Sequence, residues 1–154
     1  MYSRQEASRI KTAFWTSFGQ YMKPIPSAWK DKVNWLNYKT GIKDIFFRMH
    51  ADNKQASIGI ELTHHDAIIR HYAFEKMQLL KPLLEEASGE EWDWQLERFD
   101  EHGRAISVIS ISLPHVSIMR QEDWPALISF FKPRIIALDA FWSDAKDIIE
   151  MQLQ

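Results

Sequence analysis

Asp44 and Glu61 are the two residues of this chain whose types and spacing point most directly to chemistry. They bound most of the stretch DIFFRMHADNKQASIGIELT, in which Ile45, Phe47 and Met49 alternate with Phe46, Arg48 and His50, and Ala56, Ile58, Ile60 and Leu62 alternate with Ser57, Gly59 and Glu61. A period of two is the pattern of paired, half-buried strands. Asp52-Asn53 between them suits a tight two-residue turn, because both residues tolerate positive φ. Counting outward from Ala51 opposite Lys54 sets Met49 against Ala56, Phe47 against Ile58 and Ile45 against Ile60. The other face then carries Arg48 opposite Ser57, Phe46 opposite Gly59 and Asp44 directly opposite Glu61. Like charges so placed repel unless a cation relieves them. Two carboxylates on neighbouring strands are what Mg²⁺ or Mn²⁺ needs, since hard cations bind through one or two carboxylates together with water and phosphate oxygens. Asp44 and Glu61 are therefore the candidate catalytic and metal-binding residues. The competing arrangement is a solvated sheet edge neutralised by Arg48 or Lys43.

Other chemistries have less to draw on. His64-His65-Asp66 follows Glu61 closely enough to offer ligands at a strand-to-helix junction, but adjacent histidines diverge on a helix, and capping explains charged residues there without any ligand. His50, near the tight turn, is expected to face solvent, and His102 sits in a turn. No serine stands in a nucleophile elbow, and the 5 glycines are too scattered to cradle a phosphate. The absence of cysteine removes thiol catalysis, zinc-thiolate sites and disulfides. A net charge of -2 means that nucleic-acid contact has to rest on a local patch. With 45% hydrophobic and 26% charged residues the composition is that of a soluble globular protein. No segment reaches transmembrane length, and MYSRQEASR lacks the apolar run of a signal peptide, so the cytoplasm is the expected location. The 7 tryptophans are expected chiefly in the core, with an aromatic interface for a protein partner or a second copy as the other use.

The elements that must position these residues can be read in order. Ile10, Phe14 and Phe18 space a helix over Arg4 to Met22, with Ser3 and Glu6 as its capping box. Two prolines end it, and Val33 to Tyr38 alternates as a first strand before the central hairpin. Thr63 is the expected N-cap of a long helix that Pro82 kinks or restarts and Gly89 closes. A second hairpin turns at His102-Gly103, pairing Trp94 with Ile111 and Leu96 with Ile109. Val116 to Met119 suits a short extra strand, and Pro133 separates two C-terminal helices. The order α-β-β-β-α-β-β-α-α implies one α+β domain over residues 1–154, built on a mainly antiparallel five-stranded sheet.

That order, with Gly41-Ile42-Lys43-Asp44 leading into one strand and Glu61-Leu62-Thr63 closing the next, resembles the core of the PD-(D/E)xK nucleases. The resemblance implies a restriction-endonuclease-like core and metal-dependent phosphodiester cleavage of DNA or RNA by Asp44 and Glu61. Thr63 departs from it, standing where those enzymes carry a lysine that orients or deprotonates water; Lys43, Lys54, Arg70 or Lys76 would have to substitute, or the fold persists without the chemistry. The run FWTSFGQYMKPIPSAWKDKVNWLNYKTGIKDIFFRMHADNKQASIGIELT and the ending FFKPRIIALDAFWSDAK are similar to a bacterial family, domain of unknown function 4268. This second likeness spans nearly the whole chain and implies a bacterial domain in a nucleic-acid or defence setting, without assigned catalytic residues. The alternative to a nuclease-like domain is a non-catalytic protein-protein interaction module.

Overall fold

Alternation at Ile45, Phe47 and Ile58, Ile60, Leu62 gives the expected antiparallel pair, β1 (Ile45–Ala51) and β2 (Gln55–Leu62), in the computed structural model, which describes residues 2–154. The partners, however, lie two places from those expected: Ile45 faces Leu62, Phe47 faces Ile60 and Met49 faces Ile58. The cause is at the turn. Asp52 Oδ1 accepts hydrogen bonds from the N–H groups of Lys54 and Gln55 at 2.7 and 2.9 Å, and Asp52 N–H donates to Gln55 O. The turn is thereby centred on Asn53-Lys54. A two-place shift leaves every apolar side chain on its own face, so alternation alone cannot detect it.

The second hairpin joins β3 (Asp93–Phe99) to β4 (Ala105–Pro114), and β4 also pairs with β2, giving a four-stranded antiparallel sheet of order β1-β2-β4-β3. Trp94 faces Ile109 and not Ile111, and Leu96 has no partner, because an extra residue bulges β3 between Gln95 and Arg98. The expected fifth strand does not form. Asn34 instead caps the N–H groups of Leu36 and Asn37 with its side chain, and Val33 to Tyr38 runs as a loop whose aromatic rings reach the core. The segment Val116 to Met119 is likewise not a strand, although its Val116 and Ile118 N–H groups donate to Lys54 O and Asp52 O at the β1–β2 turn.

All the helix contacts fall on one face of the sheet. Helix α1 (Arg4–Met22) starts at Ser3, whose hydroxyl accepts from Glu6 N–H as expected. The long central helix is in fact two, α2 (Ala67–Gln78) and α3 (Lys81–Ser88), the second taking Pro82 into its first turn and closing on left-handed Gly89. Asp66 caps α2 in place of Thr63. Helix α4 (Trp124–Gln152) runs through Pro133 unbroken. Pro133 faces solvent there, while Phe130, Phe131, Ile135, Leu138 and Trp142 line the buried stripe, and that burial outweighs the one lost hydrogen bond. Phe47 meets Trp142, Trp94 meets Phe74, and α1 closes the far side through Phe14 and Phe18 against Phe131.

The opposite face of the sheet carries Phe46, Arg48 and His50 on β1, Ser57, Gly59 and Glu61 on β2, and Val108, Ser110 and Ser112 on β4. Gly59 is required at its centre. A Cβ there would drive into the Ile109 carbonyl oxygen and stand 2.8 Å from Ser110 Cβ. Gly59→Ala is expected to destabilise the fold by about 1 to 3 kcal/mol, read as a lower urea midpoint; an unchanged midpoint would mean that β2 and β4 can part without cost.

Candidate functional site

The site is built on the uncovered face, around Glu61. Glu61 is 8% exposed, and both of its oxygens are engaged: Arg48 Nε lies 3.3 Å from Oε1 and His50 Nε2 lies 2.8 Å from Oε2. Period-two geometry makes this possible, because Arg48 and His50 project from β1 on the same face as Glu61, and Gly59 between them offers no side chain in the way. The Arg48 guanidinium also lies 4.4 Å from the centre of the Phe46 ring.

The bulge in β3 shapes the rest. Ser107 Oγ donates to Leu96 O at 2.5 Å, and Arg70, almost wholly buried on the helix side, donates to Glu97 Oε1 at 2.8 Å and to His64 O at 2.9 Å. Bulges bend the strand that carries them. Beyond this one, the tip of the β3–β4 hairpin shares a cleft of about 460 Å³ with Arg48, His50, Ser57 and Ser112, so it leans back over the sheet. The tip is fastened by Asp100, whose Oδ1 accepts from His102 N–H and Arg104 N–H and whose Oδ2 accepts from Arg104 Nε. These donors, the Arg104 N–H foremost, hold the Asp100 carboxyl below the usual carboxylate range.

Arg48, His50, Arg98, His102 and Arg104 line this cleft against Glu61, Asp100 and Glu101, with Phe99 (70% exposed) at its rim. A larger cleft, about 1150 Å³, lies between α1, the β1–β2 turn and the 114–123 segment. It contributes Lys11, Lys54 and Arg120, but Asp52 and Asp123 there are occupied in capping Lys54, Gln55 and Ser117 N–H groups. The chemistry therefore sits in the smaller cleft, and a narrow space lined by Lys11, His50 and Gln55 adjoins both.

With these positions established, the chain can be compared with known proteins. The family model described as domain of unknown function, DUF4268, matches residues 10–146. The chain belongs to the DUF4268 family. No curated protein and no solved structure matches this DUF4268 chain.

Of the two carboxylates singled out in the sequence, only Glu61 lies in the DUF4268 cleft. Asp44 takes left-handed backbone (φ 65°) before β1, and its carbonyl accepts from Thr63 N–H, so it stands across from Thr63 while Glu61 stands across from Phe46. As arranged, the donor set does not fit a divalent ion: both Glu61 oxygens are taken, by Arg48 and His50, and no trio of His, Asp or Glu converges among the described residues. Nor do three of the four expected lysine substitutes reach Glu61. Arg70 is bound at the bulge, Lys76 lies over the Tyr72 ring and Lys54 is in the turn. His64 and His65 stack on each other, His64 Nδ1 accepting from Asp66 N–H. Thermal unfolding across a Mn²⁺ titration is expected to show no saturable rise. A rise that Glu61→Gln removes would mean that an ion displaces Arg48 and His50 from the carboxylate.

His50, expected to face solvent, is exposed, and its ring also reaches Glu61. The shared parity of His50 and Glu61 across the hairpin was the signal available in the sequence for that contact.

Proposed function

We propose that this DUF4268 domain binds single-stranded nucleic acid across the uncovered face of its sheet. The observation that carries this reading is the gathering of Arg48, Arg98 and Arg104 with His50 and His102 in one cleft, where Glu61, Asp100 and Glu101 offset the three arginine charges. Arginine and histidine donors beside an exposed aromatic ring are what a single strand requires: groups that reach the phosphates and a flat π-face for the bases. Phe99 and Phe46 supply the rings, and the Lys11, Lys54 and Arg120 cleft extends the basic track past His50. The leaning hairpin tip leaves space that suits a flexible strand better than a rigid duplex.

Fluorescence anisotropy with labelled oligonucleotides tests this reading. Phe99→Ala is expected to weaken single-strand affinity by about 1 to 3 kcal/mol, with the fold intact because the ring is exposed, and duplex is expected to bind less tightly than single strand. Equal affinity of wild type and Phe99→Ala for both forms would contradict it. The alternative, a protein-interaction module, draws on the exposed apolar residues Ile68, Leu79 and Met151. None of these residues lines the cleft that holds Arg48 and His50, and substitutions at them are expected to leave oligonucleotide binding unaltered.

A further inference from the structure

The same cleft holds the groups of an acid-base catalyst. Glu61 engages only the Nε2 side of the His50 ring, and no described hydrogen bond occupies Nδ1. A carboxylate on one ring nitrogen fixes the tautomer and orientation of the imidazole and stabilises its charged form, leaving the other nitrogen to take a proton. His102, on the tip that leans over the sheet, lines the same cleft from the other side, with Nε2 3.5 Å from Glu101 Oε1. Arg48 places Nε on Glu61, and no described hydrogen bond occupies its terminal nitrogens; among the described residues Arg98 makes only a long 3.4 Å hydrogen bond to Gln95. Two histidines and two arginines thus line one cleft of about 460 Å³.

Such a set can act on a phosphodiester if the substrate brings its own nucleophile, and the ribose 2′-hydroxyl is that nucleophile. We propose that the domain cleaves single-stranded RNA by internal transesterification, without need of a metal ion. The proposal rests on the nucleic-acid reading above. His50 Nδ1 accepts the 2′-OH proton as the 2′-oxygen bonds to phosphorus. The bond from phosphorus to the 5′-oxygen of the next nucleotide breaks, and His102 gives that oxygen a proton. The products are a 2′,3′-cyclic phosphate and a 5′-hydroxyl; nothing is oxidised, and no co-reactant is consumed. Arg48 and Arg98 hold the phosphate oxygens as negative charge grows on them. Glu61 is a positioning residue that acts through His50.

The test incubates the full chain with a mixed-sequence RNA in EDTA and maps the ends produced. Cleavage should leave 2′,3′-cyclic phosphates and 5′-hydroxyls, spare DNA of the same sequence, and skip a linkage whose 5′-side ribose is 2′-deoxy. His50→Gln and His102→Gln, purified identically and assayed at saturating RNA, should each slow cleavage about 10²- to 10⁴-fold. Glu61→Gln should lower kcat with KM unchanged, a split that a purely structural role would not give. RNA that is bound but uncut in EDTA overturns the proposal and leaves the binding reading standing, as does cleavage of DNA at the same rate or cleavage surviving His50→Gln. Failure to bind RNA or DNA at all overturns both.

Discussion

Asp139→Ala is expected to cost about 2 to 4 kcal/mol in equilibrium urea unfolding. Asp139 lies in the buried stripe of α4, 4% exposed, and has no cationic partner among the described residues. Its oxygens are instead satisfied by the long connection between α1 and β1: Tyr38 O–H donates to Oδ1 at 2.5 Å and Ala28 N–H to Oδ2 at 2.7 Å. Those two bonds tether a segment that has no strand or helix of its own, which is also tied to α4 by Trp142 Nε1 donating to Thr40 O and to β1 by Thr40 Oγ1 donating to Ile45 O and by the Tyr38 ring stacked on Phe47. Removing the carboxylate leaves the Tyr38 hydroxyl without its acceptor and frees the loop. A loss below about 1 kcal/mol would mean that water replaces the carboxylate readily and that the loop is held elsewhere.

The same contact gives the fold an alkaline limit. Burial, then the hydrogen bond to Asp139 and its negative charge, push the Tyr38 hydroxyl well above the ordinary tyrosine range. A group whose folded pKa is raised contributes stability that is present below its unfolded value, near about 10, and is lost as pH rises beyond it, because the unfolded chain releases the proton first. Unfolding midpoints of wild type should therefore fall above that pH, and Tyr38→Phe should flatten the fall while lowering stability at neutral pH.

Phe131→Ala is expected to cost about 3 to 5 kcal/mol. Phe131 is fully buried and packs its ring against Phe14 (6.4 Å), Trp15 (5.3 Å), Phe18 (5.9 Å) and Phe130 (5.3 Å) between centroids, so it is the point at which α1 joins α4. Helix α1 touches the rest of the molecule chiefly through this cluster, and little around a truncated Phe131 can collapse to fill the void. Phe18→Ala removes part of the same contact, so the double variant should lose less than the sum of the singles. Strict additivity would show that the two rings stabilise separate regions.

How much of this was legible in the sequence depends on which physical signal carried each element. Apolar alternation told the correct faces of the first hairpin and of Trp94 with Ile109 in the second, since burial on one side determines parity, but the bulge in β3 moved Leu96 and Arg98 off the expected face. It could not set the register of β1 on β2, which the Asp52 side chain decides by capping Lys54 and Gln55 and so moving the turn one residue along. Val33 to Tyr38 alternates because Trp35 and Tyr38 reach into the core from a loop, and burial from a loop and burial from a strand write the same pattern. Pro133 was misread as a break because its local cost is visible in sequence while the long buried face of α4 that offsets it is tertiary.

The site was legible in the same partial way. Glu61 was found because a carboxylate in an apolar strand is conspicuous, and Arg48 was already the alternative partner to a metal. Asp44 was coupled to Glu61 only through the mistaken register. The basic contribution of the β3–β4 tip could not be anticipated, because it depends on a bulge satisfied by Ser107 and Arg70, residues distant from it in sequence.

The central claim is that the cleft over the sheet holds phosphates, and equilibrium binding of a fluorescent oligouridylate between about 50 and about 200 mM salt tests it most directly. Log affinity should fall linearly with log salt, and Arg98→Ala and Arg104→Ala should each weaken binding and reduce the slope by about 1. An affinity indifferent to salt, or slopes identical in wild type and both variants, would contradict the account and remove nucleic acid from this face of the protein.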